Sequence, residues 1–360
     1  MQKQHDILKL AKELIRIPTI PNSKVHLKQA LDLVKSSLAE YTIEDFFANG
    51  QISSLIHNQA KGFRNFKFVL NIHLDIIPAK DNQYSPKIIG DKLYGAGAMD
   101  MKANAACCVL VFKEYAKNLD YPLALQVTTD EEIGGFDGTA YQLKNGLTAE
   151  FVISSEPTNL DIVNQAKGIM WLEVEFKGKS AHGAYPWKGN NALFQASDFI
   201  TKLSGKIKNP VKKDWITTIN FSKLNTVNKA FNKVPDQACL GMDIRFVPGD
   251  HDRILKVIKK LLPKGAKLNI LTNEPAMDVD PENMHIKSLQ RITKSITNKK
   301  CKLYAAQGSS DVRHFVKLGM PGVEFGPVGG GIGSDEEWVS ISSLDDYYEI
   351  IKTFLLDATK

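Results

Sequence analysis

The chain has 360 residues, of which 43% are apolar and 24% are charged, and its formal net charge at pH 7 is +6. This apolar share is enough for packed cores and excludes a disordered chain, and a length above about 250–300 residues favours two domains. Lys and Arg are scattered singly and in pairs rather than gathered on one stripe, which predicts a solvated surface and no nucleic-acid partner.

Nothing in the sequence predicts attachment to a membrane or export. The longest apolar run is the eight residues 105–112, far short of the roughly 20 that a membrane helix needs. The first residues lead directly into an amphipathic pattern and lack the apolar core of a signal peptide. The four cysteines form no CxxC pair, which fits free thiols in a reducing compartment. We therefore expect a cytoplasmic protein.

The first part of the chain alternates helical and strand-like patterns. Apolar residues recur at helical spacing in two early segments and in a third that follows Asp100, which we predict to cap that helix. Predicted helices span residues 6–17, 25–39 and 101–117, and predicted strands span 66–72, 123–128, 151–154 and 322–325. Strands that alternate with helices predict an α/β domain with a mainly parallel sheet.

The middle of the chain has a different pattern, in which two segments alternate apolar and polar residues as half-buried strands do. Its predicted strands span residues 169–177, 215–224, 238–246 and 268–271, and its predicted helices span 191–203 and 254–261. The order strand-helix-strand-strand-helix-strand predicts a small ferredoxin-like α+β sandwich. We therefore predict a domain at residues 166–275, inserted into a domain formed by residues 1–165 and 276–360.

Acidic residues and a histidine follow three predicted strands at the points where the strands end. His73 and Asp75 follow the first strand, Glu131 and Glu132 the second, and Glu156 the third. Because ligands of open α/β sheets bind outside the carboxyl ends of the strands, we expect these side chains to gather at one edge.

A further acid, Asp100, lies in a glycine-rich loop that opens a helix. Each uncompensated ion in such a cluster costs several kcal/mol, so either the acids are dispersed on the surface or a cation holds them. Taken singly, an acid after a strand is usually a cap or turn residue, and a lone histidine is usually structural. The whole set favours a cation site, because its members recur at strand ends. Imidazole and carboxylate together suit Zn²⁺, Mn²⁺ or Co²⁺.

These segments resemble the signature blocks of one metallopeptidase family, which contains aminoacylases, carboxypeptidase G, acetylornithine deacetylase, succinyl-diaminopimelate desuccinylase and dipeptidases. The resemblance runs in order through nearly the whole chain. The matching blocks are residues 71–78, 94–102, 129–135, 155–158, 178–183, 232–235, 243–245, 308–313 and 324–327.

The resemblance implies a two-metal amide hydrolase, with zinc as the expected metal and Mn or Co as alternatives. It implies that His73 and Glu156 hold one ion, that Glu132 holds the other and that Asp100 bridges them. It assigns Glu131 as the general base that takes a proton from water.

The resemblance also implies roles for residues around the metals. Asp75 would hydrogen-bond the far nitrogen of His73 and fix its tautomer. His182 would reach the site of a neighbouring subunit in a homodimer formed through the inserted domain. Asn232 and Arg245 would contact substrate, the arginine through a carboxylate. The alternatives are an exposed lid for His182 and a structural role for Arg245.

The chain departs from the family pattern at one metal ligand. The pattern ends with a histidine four residues before an acid, and the matching position here is Gly333. The flanking residues align, so the ligand is replaced and the segment is retained. The second metal then keeps Glu132 and the Asp100 bridge and should bind more weakly. A Gly333→His variant is expected to gain metal and rate.

Four explanations of the glycine remain open at this point. The substitution is engineered to trap ligands; Asp335 or Ser334 stands in as an oxygen ligand; the enzyme works with one metal; or the protein binds peptides without cleaving them. Reduced or altered catalysis ranks above complete loss, because Glu131 and the other ligands persist.

Two glycine-rich segments have other interpretations that we discount. Residues 95–97 begin like a dinucleotide-binding motif, but Asp100 takes the place of its last glycine and no acid follows a second strand ~20 residues on. Residues 329–333 lack the Gly-Lys-Ser/Thr ending of a phosphate loop.

The sequence thus predicts a metal-dependent hydrolase that cleaves an amide in a small N-acyl amino acid or a short peptide with a free carboxylate. The alternative is a catalytically weak or inactive protein of the same fold that binds metal or peptide.

Overall fold

A computed structural model describes residues 2–357, which divide into two compact units. The larger unit comprises residues 2–164, 279–304 and 310–357. The smaller unit comprises residues 165–278 and 305–309.

Helices and strands alternate through most of the larger unit. The α-helices are α1 (Gln2–Ile15), α2 (Lys24–Ser37), α3 (Ala103–Tyr115), α4 (Thr139–Lys144), α5 (Ala192–Lys206), α6 (His251–Leu261), α7 (Met284–Thr297), α8 (Val312–Val316) and α9 (Ile341–Asp357).

The strands fall into sheets that are described unit by unit below. They are β1 (Thr42–Ala48), β2 (Gln51–His57), β3 (Asn65–His73), β4 (Lys87–Ile89), β5 (Lys92–Tyr94), β6 (Leu123–Thr128), β7 (Thr148–Ser154), β8 (Ile162–Ala166), β9 (Gly168–Lys177), β10 (Ala181–His182), β11 (Thr218–Asn225), β12 (Lys233–Val234), β13 (Gln237–Phe246), β14 (Lys267–Glu274), β15 (Met277–Asp278), β16 (Leu303–Ala306), β17 (Gly322–Glu324), β18 (Gly329–Gly330) and β19 (Trp338–Ser340).

The main sheet of the larger unit has the strand order β1-β2-β6-β3-β7-β17-β8. Its centre, β6-β3-β7-β17, is parallel, whereas β1, β2 and β8 join it in antiparallel fashion. The central strand β3 is buried along its last six residues, as expected for a parallel strand that is covered on both faces. The predicted α/β fold with a mainly parallel centre is confirmed.

The helix after Asp100 begins later than the sequence predicted. Residues 98–102 form an irregular turn that contains a cis peptide bond between Asp100 and Met101, and α3 starts at Ala103 with Lys102 in the cap position. The prediction that Asp100 caps the helix is therefore wrong. Its side chain instead accepts a hydrogen bond from an imidazole, as described below.

A second, small antiparallel sheet in the larger unit has the order β18-β19-β5-β4. Strand β5 leads into the glycine-rich loop that carries Asp100, and residues 331–337 connect β18 to β19. The pairing of Trp338 with Tyr94 therefore holds the loop containing Gly333 beside the loop containing Asp100.

The smaller unit contains an antiparallel sheet of order β11-β13-β9-β14 with α5 and α6 packed against it. Alternate residues of β9 and β13 face the helices, and these side chains form one apolar core. This order of strands and helices is the α+β sandwich that the alternating pattern predicted.

Within residues 2–357, no helix is both long and apolar enough to cross a membrane. All four cysteines are free, and three of them are buried.

Glu44 on β1 is the centre of a half-buried polar cluster beside the main sheet. Both of its carboxylate oxygens accept from Arg64, at 2.7 and 3.1 Å, and His57 and the Gly62 backbone N–H also contact it. The hydrogen bonds from Arg64 are the main reason that the pKa of Glu44 falls to about 2.

We predict that Glu44→Gln lowers the free energy of unfolding at pH 7 by about 1–3 kcal/mol, the range for hydrogen bonds to charged groups. Because the folded pKa lies below the ordinary value of 4.5, this contribution is complete above pH 4.5 and declines as pH falls toward about 2. Urea unfolding of wild type and variant at pH 7 and pH 3 should show the difference shrinking at the lower pH. The same pH-dependent difference should disappear in an Arg64→Gln background, and its persistence there would contradict the assignment.

Candidate metal centre

Three side chains of the larger unit converge on a point at the edge of the main sheet. The Nε2 atom of His73 lies 3.1 Å from Oδ1 of Asp100 and 3.8 Å from Oε1 of Glu156. One ligand atom from each residue lies within 4.8 Å of the other two. In the described part of the chain, this is the only group of three His, Cys, Asp or Glu side chains with that property.

The register of the parallel strands explains this convergence. Strand β3 ends at His73, and β7 ends just before Glu156. The two strands are paired in parallel, with Asn71 opposite Ser154. Their carboxyl ends therefore meet at the same edge, where open α/β sheets bind ligands.

The donor set fits a divalent metal ion. The other ring nitrogen of His73, Nδ1, is 3.0 Å from the backbone carbonyl oxygen of Asp75, so Nε2 is directed toward the carboxylates. Oε1 of Glu156 is buried and has no hydrogen-bond partner among residues 2–357. Burial and the charge of Asp100 raise the pKa of Glu156 well above its usual range. A divalent cation would satisfy this oxygen and stabilise its charge, and one nitrogen with carboxylate oxygens is a zinc-type set.

Asp75 holds the turn that carries the next two acids. Its carboxylate oxygens accept from the backbone N–H groups of Glu131 and Glu132, at 3.2 and 2.9 Å. The same carboxylate is 3.6 Å from Nδ1 of His73, which is too long for a hydrogen bond. The predicted contact with the imidazole is therefore made by the backbone carbonyl of Asp75, and its carboxylate orients the Glu131–Ile133 turn instead.

Glu131 and Glu132 lie in a half-buried 3₁₀ turn. Burial raises the pKa of Glu131 well above its usual range, with the neighbouring His73 acting in the opposite direction. Burial also raises the pKa of Glu132 to about 7, and a hydrogen bond from the backbone of Ile77 opposes that shift. Glu131 thus has the proton affinity that suits a general base near neutral pH.

Glu337 holds the loop that carries Asp100. Its carboxylate accepts from the backbone N–H groups of Gly97, Met99 and Asp100, at 3.1, 2.9 and 3.0 Å. Gly97 has a φ of +72°, and a Cβ there would lie 2.6 Å from the Ile76 side chain, so the loop requires glycine at that point. Sequence reasoning assigned Glu337 no role, although it is the acid four residues after Gly333 in the family pattern.

Arg313 supports the turn of Glu131 and Glu132 from the other side. It is buried and donates to the carbonyl oxygens of Gly134 and Ser310. Asp311, two residues earlier, accepts from Thr139 at 2.6 Å. The sequence marked residues 308–313 only as a matching block, because nothing in the pattern shows which backbone carbonyl an arginine will reach.

Gly333 lies on the wall of a cavity of about 230 Å³ beside the metal ligands. Asp100 and Glu132 line the same cavity. Gly333 has a φ of +67°, and a Cβ there would lie 2.9 Å from Cδ1 of Ile77. The structure therefore brings this position next to the two acids that the family pattern associates with it.

The remaining predicted residues lie in the smaller unit. His182 and Asn232 are exposed and adjacent, because the Gly183 N–H donates to the Asn232 carbonyl at 2.6 Å. Arg245 forms two hydrogen bonds with Asp243, at 2.9 and 3.2 Å. This pair matches the structural alternative for Arg245 that the sequence left open.

Comparison with known proteins gives a consistent assignment. Residues 69–357 match the family described as Peptidase family M20/M25/M40. A succinyl-diaminopimelate desuccinylase of Pelagibacter ubique (strain HTCC1062) is 28% identical, over 96% of this chain and 98% of its own. The chain is similar in fold to aminopeptidase PepT from Bacillus cereus, with a TM-score of 0.78, 17% identity and 99% of each chain covered. It is also similar in fold to the M20 family metallo-carboxypeptidase Sso-CP2 from Sulfolobus solfataricus, with a TM-score of 0.76, 18% identity and 97% and 98% coverage of this chain and that one.

We predict that Glu337→Gln weakens metal binding by about 10–100-fold, the usual effect of removing a residue that orients a ligand. An amide offers one acceptor oxygen where the carboxylate offers two, so the Asp100 loop loses part of its support. Competition with a chromophoric chelator measures the affinity. Glu336→Gln is the matched control, because Glu336 is adjacent and exposed; equal affinities in the two variants would contradict the role of Glu337.

Proposed function

Since the chain belongs to peptidase family M20/M25/M40, we propose that it hydrolyses the amide bond of a small N-acyl amino acid or a short peptide with a free carboxylate. The observation that carries this proposal is the convergence of His73, Asp100 and Glu156 beside the turn of Glu131. The desuccinylase and carboxypeptidase names of similar proteins fit such substrates.

His73, Asp100 and Glu156 would hold a divalent metal, with zinc the first choice by donor type and manganese or cobalt as alternatives. When bound, such an ion polarises the scissile carbonyl and lowers the pKa of a coordinated water. Glu132 would bind a second ion together with Asp100.

Glu131 is the proposed general base. Its carboxylate takes a proton from the attacking water and returns it to the leaving amine. The raised pKa of Glu131 brings its proton affinity closer to neutral pH, where both transfers are needed. Asp75 keeps Glu131 in place through the backbone of the turn.

Roles in substrate binding are proposed for the smaller unit. Arg245 would bind the free carboxylate of the substrate, with Asn232 as a further contact. His182 would stabilise the oxyanion in the site of a neighbouring subunit, which makes a homodimer part of the proposal. The exposure of His182 and Asn232 is compatible with these contacts. The proposed compartment is the cytoplasm, and the free cysteines fit its reducing conditions.

A second candidate function follows from Gly333. Without a side chain at this position, the protein would bind metal and peptides but cleave them slowly or not at all. This candidate shares the fold and the metal centre and differs only in turnover.

The test is a hydrolysis assay after metal analysis of the purified chain. A panel of N-succinyl and N-acetyl amino acids and dipeptides is assayed with added Zn²⁺, Mn²⁺ or Co²⁺. We predict turnover of at least one substrate, and a loss of about 10²–10⁴-fold in Glu131→Gln with metal content retained. Glu336→Gln, a change to an exposed acid, should leave the rate unaltered.

Bound metal without turnover of any panel member would favour the binding protein over the hydrolase. A chain that neither binds metal nor cleaves a substrate would contradict both candidates. Full activity in Glu131→Gln would show that another group acts as the base.

A further inference from the structure

We propose that each chain holds one divalent ion firmly, through His73, Asp100 and Glu156, and that Asp100 and Glu132 bind a second ion only weakly. This inference rests on the proposed metal-dependent function and concerns the number of ions with which that function works. The two positions differ in the side chains that surround them.

The first position has a complete set of protein donors. It combines an imidazole nitrogen with two carboxylates, and Oε1 of Glu156 is buried without another partner among the described residues. Nδ1 of His73 is already engaged by the Asp75 carbonyl, so only Nε2 is directed toward the site. Three protein ligands of this kind are what catalytic zinc sites use.

The second position has two carboxylates and no nitrogen donor. Asp100 and Glu132 line the cavity of about 230 Å³, but within residues 2–357 Glu132 belongs to no group of three closely spaced ligand side chains. The wall facing them contains Gly333 and the apolar side chains of Ile77 and Ile332. Loss of a direct ligand should weaken binding by more than the ~10–100-fold that follows loss of an outer partner.

The neighbouring polar residues do not replace the missing ligand. Asp335 is more than half exposed and pairs with Lys80 at the cavity rim. The Ser334 hydroxyl donates to the Gly331 carbonyl at 2.8 Å, and the Ser334 carbonyl accepts from Gln83 at 2.9 Å. Both candidates for an oxygen stand-in are thus engaged away from Glu132.

The loop around position 333 is shaped for glycine. The left-handed φ of +67° disfavours most side chains, and a Cβ would crowd Cδ1 of Ile77 at 2.9 Å. The expectation that Gly333→His alone restores the ligand therefore needs correction. Histidine tolerates left-handed φ better than most residues, so the crowding by Ile77 is the main obstacle, and Ile77→Ala would relieve it.

The test counts metal ions in the purified full-length chain. The protein is loaded with Zn²⁺ or Mn²⁺, dialysed and measured by elemental analysis, and Mn²⁺ samples are examined by electron paramagnetic resonance for coupled pairs. We expect about one ion per chain and no spin-coupled pair in the wild type. Glu132→Gln should keep about one ion, whereas His73→Ala should lose it.

Two paired variants test the role of position 333. Ile77→Ala with Gly333→His should raise the count toward two ions per chain, because a nitrogen donor joins Asp100 and Glu132. Ile77→Ala with Gly333→Phe fills the same space without a nitrogen and should remain at one. If the histidine variant does not fold by circular dichroism, the counts in wild type and Glu132→Gln still decide the matter.

Two firmly held ions in the wild type, or loss of the single ion in Glu132→Gln, would overturn this inference. The hydrolysis assay is independent of the count. One ion without hydrolysis would leave the inference standing and reject the proposed hydrolase, whereas two ions with hydrolysis would reject the inference alone.

Discussion

The mutual repulsion of carboxylates at one edge of the main sheet is the constraint on which the rest of the larger unit depends. Asp100, Glu131, Glu132 and Glu156 lie close enough to raise one another's proton affinity, and burial adds to the effect. Such an arrangement is unfavourable unless a cation compensates it. His73 compensates part of the charge, and a divalent ion would compensate more. The fold keeps these groups together at a cost in stability, which is typical of a functional site.

Two further carboxylates stabilise this arrangement by binding backbone rather than side chains. Asp75 accepts the N–H groups of Glu131 and Glu132. Glu337 accepts three N–H groups of the loop that ends at Asp100. Each turn is therefore fixed independently of the proton or metal that its functional side chain binds. The ligands are positioned in advance, which reduces the reorganisation needed when an ion or substrate arrives.

The sequence was sufficient to predict the strand ends and the residues that meet there, because parallel strands bring their carboxyl ends to one edge whatever their exact length. It was insufficient for contacts that depend on loop conformation. Asp100 was predicted to cap a helix, and the irregular turn of residues 98–102 moves the helix start past it. Asp75 was predicted to contact an imidazole, but its carboxylate binds the next strand's turn. The β1–β2 hairpin was not predicted, because β1 is only half buried and lacks a clear apolar face.

The two halves of the last family motif have separate roles in this chain. Glu337 is retained and holds the Asp100 loop, on which the position formed with His73 and Glu156 depends. Gly333 contributes only its backbone to the cavity beside Glu132. Because the loop is anchored by Glu337 and by the pairing of β19 with β5, a change at position 333 leaves Asp100 in place. The first metal position therefore does not depend on the residue at position 333, and this independence is what allows a ligand of the second ion to be replaced without loss of the first.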